Sequence, residues 1–274
     1  MPSSTLQQIV EYRGVEGLVA AEVLEDGANY TTGDVFAIAG VAEISKTTDS
    51  ASEAHYYDNI PAVVVTNTAS DTVTISASAI PLDVLAKITG QEYDSDTGSL
   101  IEGPRVVKYF TVGYKTKKTN GDEVYVWRYK GTFNVPDQTN ITENNSTDAN
   151  GQELVYTGIA TTHKFEKTGK GAKALNVDVA LDKADVSTFF DVVTTPDTLT
   201  AKPAYTLTIT PDAGTTITVK KRGNALTTGA TIYEGDQLTI TVTGGTLTVN
   251  SVAFTSGDIH VVTGNTTVVS TASA

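Results

Sequence analysis

The chain contains no cysteine among its 274 residues, which excludes disulfide bridges, thiolate metal sites and cysteine nucleophiles. Its three histidines, at positions 55, 163 and 260, are too widely spaced to form a paired-histidine motif. There is no Gly-rich phosphate loop and no nucleophile elbow, so the expectation is a protein that is not an enzyme and needs no cofactor or metal. Runs of helix-forming residues are nearly absent, and no apolar run approaches bilayer length. The opening MPSSTLQQIVEYRG lacks the continuous apolar core of a signal peptide, which predicts synthesis as a soluble cytoplasmic protein.

Thr, Val, Ala and Gly dominate what remains, and the composition predicts an all-β, or β-rich, chain with one short helix. The length suits one large or two ordinary domains. Charge divides the chain unevenly. From residue 201 onward four cations (Lys202, Lys220, Lys221, Arg222) cancel four anions (Asp212, Glu234, Asp236, Asp258). Taking these from nineteen cations and thirty-two anions leaves fifteen and twenty-eight in the first 200 residues, which therefore hold the whole net charge of −13. Such a surface repels nucleic acid at long range, and suits a wall past which DNA moves without sticking.

The stretch Arg105 to Phe133, RVVKYFTVGYKTKKTNGDEVYVWRYKGTF, is two β-rich runs joined at Asn120-Gly121. A two-residue turn there predicts that Thr116 faces Tyr125, Tyr114 faces Trp127, Val112 faces Tyr129 and Phe110 faces Gly131. One face would then be aromatic and form the wall of the first core. The other would be basic, carrying Lys115, Lys117, Arg128 and Lys130. Three uses of that basic face are open: a nucleic-acid surface, a subunit interface with an acidic copy of the same chain, or a solvated strand face.

Elsewhere the pattern predicts a polar arm over residues 1 to 15 and strands at Leu18–Leu24 and Val35–Ile44, with Gly40 marking a bulge. Ser45–Asn59 reads as a long polar loop. Thr72–Ala79 reads as a strand with one wet face. Pro81, the spacing of Leu82, Leu85 and Ile88, and Gly90 predict a short helix. Tyr93–Gly103 and Pro136–Gly151 read as loops, Glu153–Thr161 and Ala174–Leu181 as strands, and Val186–Val193 as a helical turn or short strand. Residues 198–204 form a linker by composition, dividing a domain over 1–197 from one over 205–274. The second domain alternates Thr with Leu, Ile and Val in about six short strands, the mark of a small sandwich.

Two acidic groupings invite a metal reading. Asp94, Asp96, Gly98 and Glu102 resemble the start of a calcium loop but lack its glycine position and flanking helices, and the alternative is an Asp-rich turn. His55 beside Glu53 and Asp58 has no second histidine near it, and the alternative is a solvated loop histidine.

Three stretches in order, HYYDNIP (His55–Pro61), PLDVLAKITGQEYDSDTGSLIEG (Pro81–Gly103) and KYFTVGYKTKKTNGDEVYVWRYKGTFNVP (Lys108–Pro136), resemble the major tail protein, or tail tube protein, of bacteriophages with long, non-contractile tails. The resemblance extends over about residues 1 to 195. It implies a β-sandwich or barrel with one flanking helix, and subunits in hexameric rings stacked into a tube whose acidic lumen conducts DNA during ejection. It implies the tail terminator, tape measure and distal tail proteins as partners, no membrane, and a place in the virion tail. The loop contacting the adjoining ring would include His55, Tyr56, Tyr57, Asp58 and Asn59. The C-terminal domain, in GDQLTITV (Gly235–Val242) and LTVNSVAF (Leu247–Phe254), is similar to the small Ig-like or bacterial surface-repeat modules appended to phage structural proteins, which implies an Ig-like β-sandwich. The rival reading is a monomeric two-domain module binding cell-surface glycans.

Overall fold

A computed structural model of the chain describes residues 9–57, 60–138 and 151–273. With 54% strand against 5% helix it is an all-β protein. The chain divides into two compact units, Met1–Ala180 with Val186–Leu199, and Leu181–Asp185 with Thr200–Ala274. Much of the stretch that reads as a linker is held within the second unit. Ala201 bridges Ala184, and the Lys202 amide donates to the Lys183 carbonyl at 2.9 Å.

The first unit runs β1 (Tyr12–Asp26), β2 (Tyr30–Thr32), β3 (Phe36–Ala37), β4 (Val41–Tyr57), β5 (Ile60–Ala77), α1 (Leu82–Thr89), β6 (Glu92–Asp94), β7 (Ser99–Ile101), β8 (Phe110–Lys118), β9 (Glu123–Phe133), β10 (Gln152–Ile159) and β11 (Ala174–Asp178). Its main sheet has the order β2-β1-β8-β9-β10-β5-β4, with β3 added to β1 and β11 to β9. Strict alternation in β5 buries Asp71, Val73, Ile75 and Ala77 on the face that carries the core. The sheet curls until β4 faces the start of β1 across a cleft of about 510 Å³, whose walls include Tyr12, Val15, Ile44, Tyr114, Val126 and Arg128.

Helix α1 forms where the sequence predicts. Pro81 precedes it, and Gly90 closes it in the left-handed region (φ 74°), its amide bonding the Ala86 carbonyl. A Cβ at position 90 would stand 1.9 Å from the Val106 carbonyl oxygen, so glycine is required by space as well as by conformation. Leu85 and Ile88 enter the core, whereas Leu82, counted on the same stripe, remains 48% exposed. The Tyr93–Gly103 stretch, read as a loop, is largely the small β6–β7 hairpin.

The expectations for the polar stretch after β3 and for the central hairpin are overturned. Ser45–Asn59 is not a loop: its described residues lie in β4, paired to β5 from Val41↔Ala77 to Tyr57↔Ile60. Polar residues cannot build a core, but an edge strand needs only backbone partners, and β5 supplies them on one side. The register of β8–β9 also differs. The turn has three residues, with the Lys118 amide bonding the Asp122 carbonyl at 2.7 Å, the Gly121 amide bonding the Lys118 carbonyl at 2.9 Å, and Gly121 at φ 88°. One extra turn residue shifts the register by one, so Gly113 faces Trp127, Lys115 faces Tyr125 and Lys117 faces Glu123. An irregularity between Phe110 and Val112 restores the expected Phe110↔Gly131 pair.

The shift exchanges the faces. Tyr114, Val112, Val124 and Val126 join the main core, whereas Trp127 belongs to the opposite face. There its Nε1 donates to the Phe189 carbonyl at 2.8 Å, and its ring packs on Phe190 at a centroid distance of 5.7 Å. The Phe189–Phe190 segment thus roofs a second apolar layer, and the Trp127 face is not the wall of the first core.

The second unit holds nine strands among the described residues rather than about six: β12 (Ala204–Thr210), β13 (Thr216–Lys221), β14 (Asn224–Leu226), β15 (Thr231–Tyr233), β16 (Gln237–Thr243), β17 (Gly245–Val249), β18 (Val252–Phe254), β19 (Ile259–Val261) and β20 (Thr266–Ala272). Sheets β15-β12-β20-β17-β18 and β14-β13-β16-β19 enclose Leu207, Val219, Ile232, Leu238, Ile240 and Leu247. Short strands of three residues, invisible to periodicity, account for the larger number. Lys221 Nζ lies 2.8 Å from the buried Asp236 and 3.2 Å from Asp182, tying Leu181–Asp185 into this unit.

Candidate assembly interface

The feature of the first unit that its own fold leaves incomplete is β4. It ends the strand order and bonds only β5, so among the described residues one side of a 17-residue strand has no strand partner. Long open edges are templates for pairing with another chain. β10 accompanies β5 only from Ala77 to Asp71, and beyond Asp71 the β4–β5 hairpin continues through eight further pairs, Ser50↔Thr68 to Tyr57↔Ile60. Ile60 lies eleven residue steps from Asp71, so this arm reaches about 35 Å at ~3.3 Å per residue. A two-stranded ribbon is marginal on its own in water and gains stability from a third strand.

Of the residues expected to contact a neighbouring ring, His55, Tyr56 and Tyr57 lie at the far end of this arm, paired with Val63, Pro61 and Ile60 around a bulge between His55 and Tyr56. Asp58 and Asn59 lie outside the described residues, and so does the proposed trio of His55, Glu53 and Asp58 as a metal site, since it includes Asp58.

The base of the arm is fastened by a buried ionic cluster. Asp71 (5% exposed) accepts from Arg128 Nη1 at 3.1 Å and from Lys173 Nζ at 3.2 Å. Lys173 also donates to the Ala69 carbonyl, so it holds β5 at the rung where the arm leaves the sheet. Arg128 Nε and Nη2 both reach Tyr114 Oη at 3.3 Å. Burial pushes the Asp71 carboxyl up, but the Lys173 and Thr48 hydrogen bonds and the charges of Lys173 and Lys46 outweigh it, holding it below the ordinary 3.8.

A second carboxylate, on a half-buried residue whose side chain is only 6% exposed, behaves alike. Asp26 meets Lys130 Nζ at 2.5 Å and accepts from the Thr162 and His163 amides at 2.9 and 2.8 Å. Burial again pushes its carboxyl up, and the His163 amide, Lys130 and the Thr162 amide bring it below 3.8. A carboxyl depressed on folding contributes stability above its unfolded value of 3.8 that is lost as pH falls through its lower folded value. The first unit is therefore expected to hold a stability plateau from neutrality to about pH 5 and to weaken steeply below about pH 4. Urea unfolding at a series of pH values, followed by Trp127 fluorescence, checks this, because the only tryptophan belongs to the first unit.

The four basic residues expected on one strand face are not together. Arg128 turns inward to Asp71, and Lys130 is spent on Asp26 with Tyr109 beneath it at 4.8 Å. Lys117 pairs with Glu16 at 3.0 Å and Glu123 at 3.7 Å, and Lys115 lies over the Tyr125 and Phe190 rings. Intramolecular partners thus take the charges that the sequence offered to a neighbour. Asp71 and Lys173 escaped the sequence reading, although Asp71 carries a signal: it is a charged residue in phase with Val73, Ile75 and Ala77. The Asp94 grouping is used by the β6–β7 turn, where the Asp94 carboxylate accepts from the Asp96 amide at 2.9 Å and the Thr97 hydroxyl at 2.6 Å.

Neither a scan of protein-family models nor a search of curated proteins finds a match to this chain. Among the described residues no helix is long and apolar enough to cross a membrane.

Proposed function

We propose that this chain is the structural subunit of a phage tail tube, assembling as stacked hexameric rings around an acidic channel through which DNA passes. The observation that carries the reading is β4, an edge strand of 17 residues with an open side and an arm extending past its own sheet. Subunits closing a ring would pair such edges and remove them. Two further features support it: the three sequence stretches similar to tail tube proteins, and the excess of anions in the first 200 residues, which suits a wall that polyanionic DNA slides along. The second unit, with a core of its own, is left for a separate role such as weak attachment to host polysaccharide.

Size-exclusion chromatography and negative-stain imaging of the purified chain test this. The expected result is rings or tubes. A persistent 28.8 kDa monomer that binds glycans would overturn it in favour of a surface-binding module.

A further inference from the structure

Most first-unit lysines have a partner within the chain, but Lys164, Lys167 and Lys170 do not: among the described residues none of the three makes an ion pair, and all are exposed. They share one turn, and hydrogen bonds brace it. Phe165 is buried to 1%, and the Phe165 and Gly169 amides bond the Lys170 and Phe165 carbonyls at 3.2 and 2.7 Å. The Asp197 carboxylate accepts from the Glu166 and Lys167 amides, both at 2.9 Å. Glu166 and the Asp197 carboxylate offset two of the three lysine charges, so the turn still presents a net positive charge on a hydrogen-bonded frame, and a preorganised surface loses little entropy on binding. Beside the lysines opens a cleft of about 420 Å³ walled by Tyr30, His163, Phe165 and Val193.

The complementary surface is on α1 and the β6–β7 hairpin. Asp83, Glu92, Asp96 and Glu102 are exposed there, and none makes an ion pair among the described residues. Among them stand Leu82, Tyr93 and Ile101, each 38 to 50% exposed, so the patch is apolar with an acidic rim, the composition of a protein interface.

Building on the tube reading, we propose that the α1/β6–β7 patch of one copy docks on the Lys164–Lys170 turn of the next. Its carboxylates meet the three lysines, and its exposed apolar side chains face the cleft. The two surfaces share no residue, so the contact is heterologous, the kind that repeats around a ring or along a stack. Both copies are acidic overall, but screening beyond ~8 Å at physiological salt leaves the local match to decide the approach.

The test is a charge exchange in the full chain. Lys164→Glu/Lys167→Glu/Lys170→Glu is expected to raise the concentration needed for assembly roughly a hundredfold, because like charges then face each other. Glu92→Lys/Asp96→Lys/Glu102→Lys is expected to do the same, and a 1:1 mixture of the two variants to co-assemble. Unchanged Trp127 fluorescence and circular dichroism establish that each variant is folded. Wild-type tubes with reversal variants that assemble equally well, or variants that fail to co-assemble, overturn this contact and leave the tube reading standing. A wild-type chain that never associates overturns both.

Discussion

Asp71→Ala is expected to lower the stability of the first unit by about 3–5 kcal/mol, the cost of removing one member of a buried ionic group and leaving the others unpaired. Arg128, 7% exposed, would keep only the Tyr114 hydroxyl as a side-chain partner, and Lys173 only the Ala69 carbonyl. The damage should concentrate in the arm. Hydrogen exchange in β5 on the arm side of Asp71 should quicken before β8 and β9 are affected, because Lys173 and Arg128 grip the last rung shared with β10. The combined variant Asp71→Leu/Arg128→Met/Lys173→Met should be less destabilised than Asp71→Ala alone, since apolar groups of similar volume remove both the charges and the cost of burying them. Urea unfolding followed by Trp127 fluorescence measures each. A single variant within 1 kcal/mol of wild type would show that the cluster is solvated in solution. If the arm is the element that meets neighbouring copies, Asp71→Ala should also impair assembly more than its loss of stability accounts for.

How much of this was legible in the sequence depends on the range of the deciding interaction. The class of the fold, helix α1 with its Pro81 and Gly90 ends, and the alternating strand ending at Ala77 were legible, because each is set by neighbours within a few residues. The register of β8–β9 was not, for Asn120-Gly121 serves a two-residue turn or the last positions of a three-residue one, and the sequence between the strands is the same for both. That one-residue difference moved Trp127 and Arg128 to opposite faces from those expected and dissolved the basic face. Ser45–Tyr57 was illegible for another reason. A polar strand at a sheet edge has no periodic apolar signal, and its pairing with β5 is a backbone property. The ionic cluster joins Asp71, Arg128 and Lys173 across more than a hundred residues, and only the phase of Asp71 with its buried neighbours betrayed it.

Trp127→Ala is expected to cost the first unit about 3–5 kcal/mol, the range for emptying a large buried aromatic site. The ring is fully buried, held by its bond to the Phe189 carbonyl and by Phe190, and it lies flat over Gly113 on the neighbouring strand. A Cβ at position 113 would stand 2.8–2.9 Å from three atoms of that ring, so the glycine exists to admit the tryptophan. Gly113→Ala should therefore destabilise the wild-type protein by about 1–3 kcal/mol through overpacking. In the Trp127→Ala background the same change has room, and a residue with better strand propensity than glycine replaces it, so its effect should fall below ~0.5 kcal/mol or turn stabilising. The coupling is measured by urea unfolding of the four proteins followed by circular dichroism. Additive effects of the two substitutions would mean that Trp127 does not rest on Gly113, and the β8–β9 register that sets the two faces of the sheet would have to be redrawn.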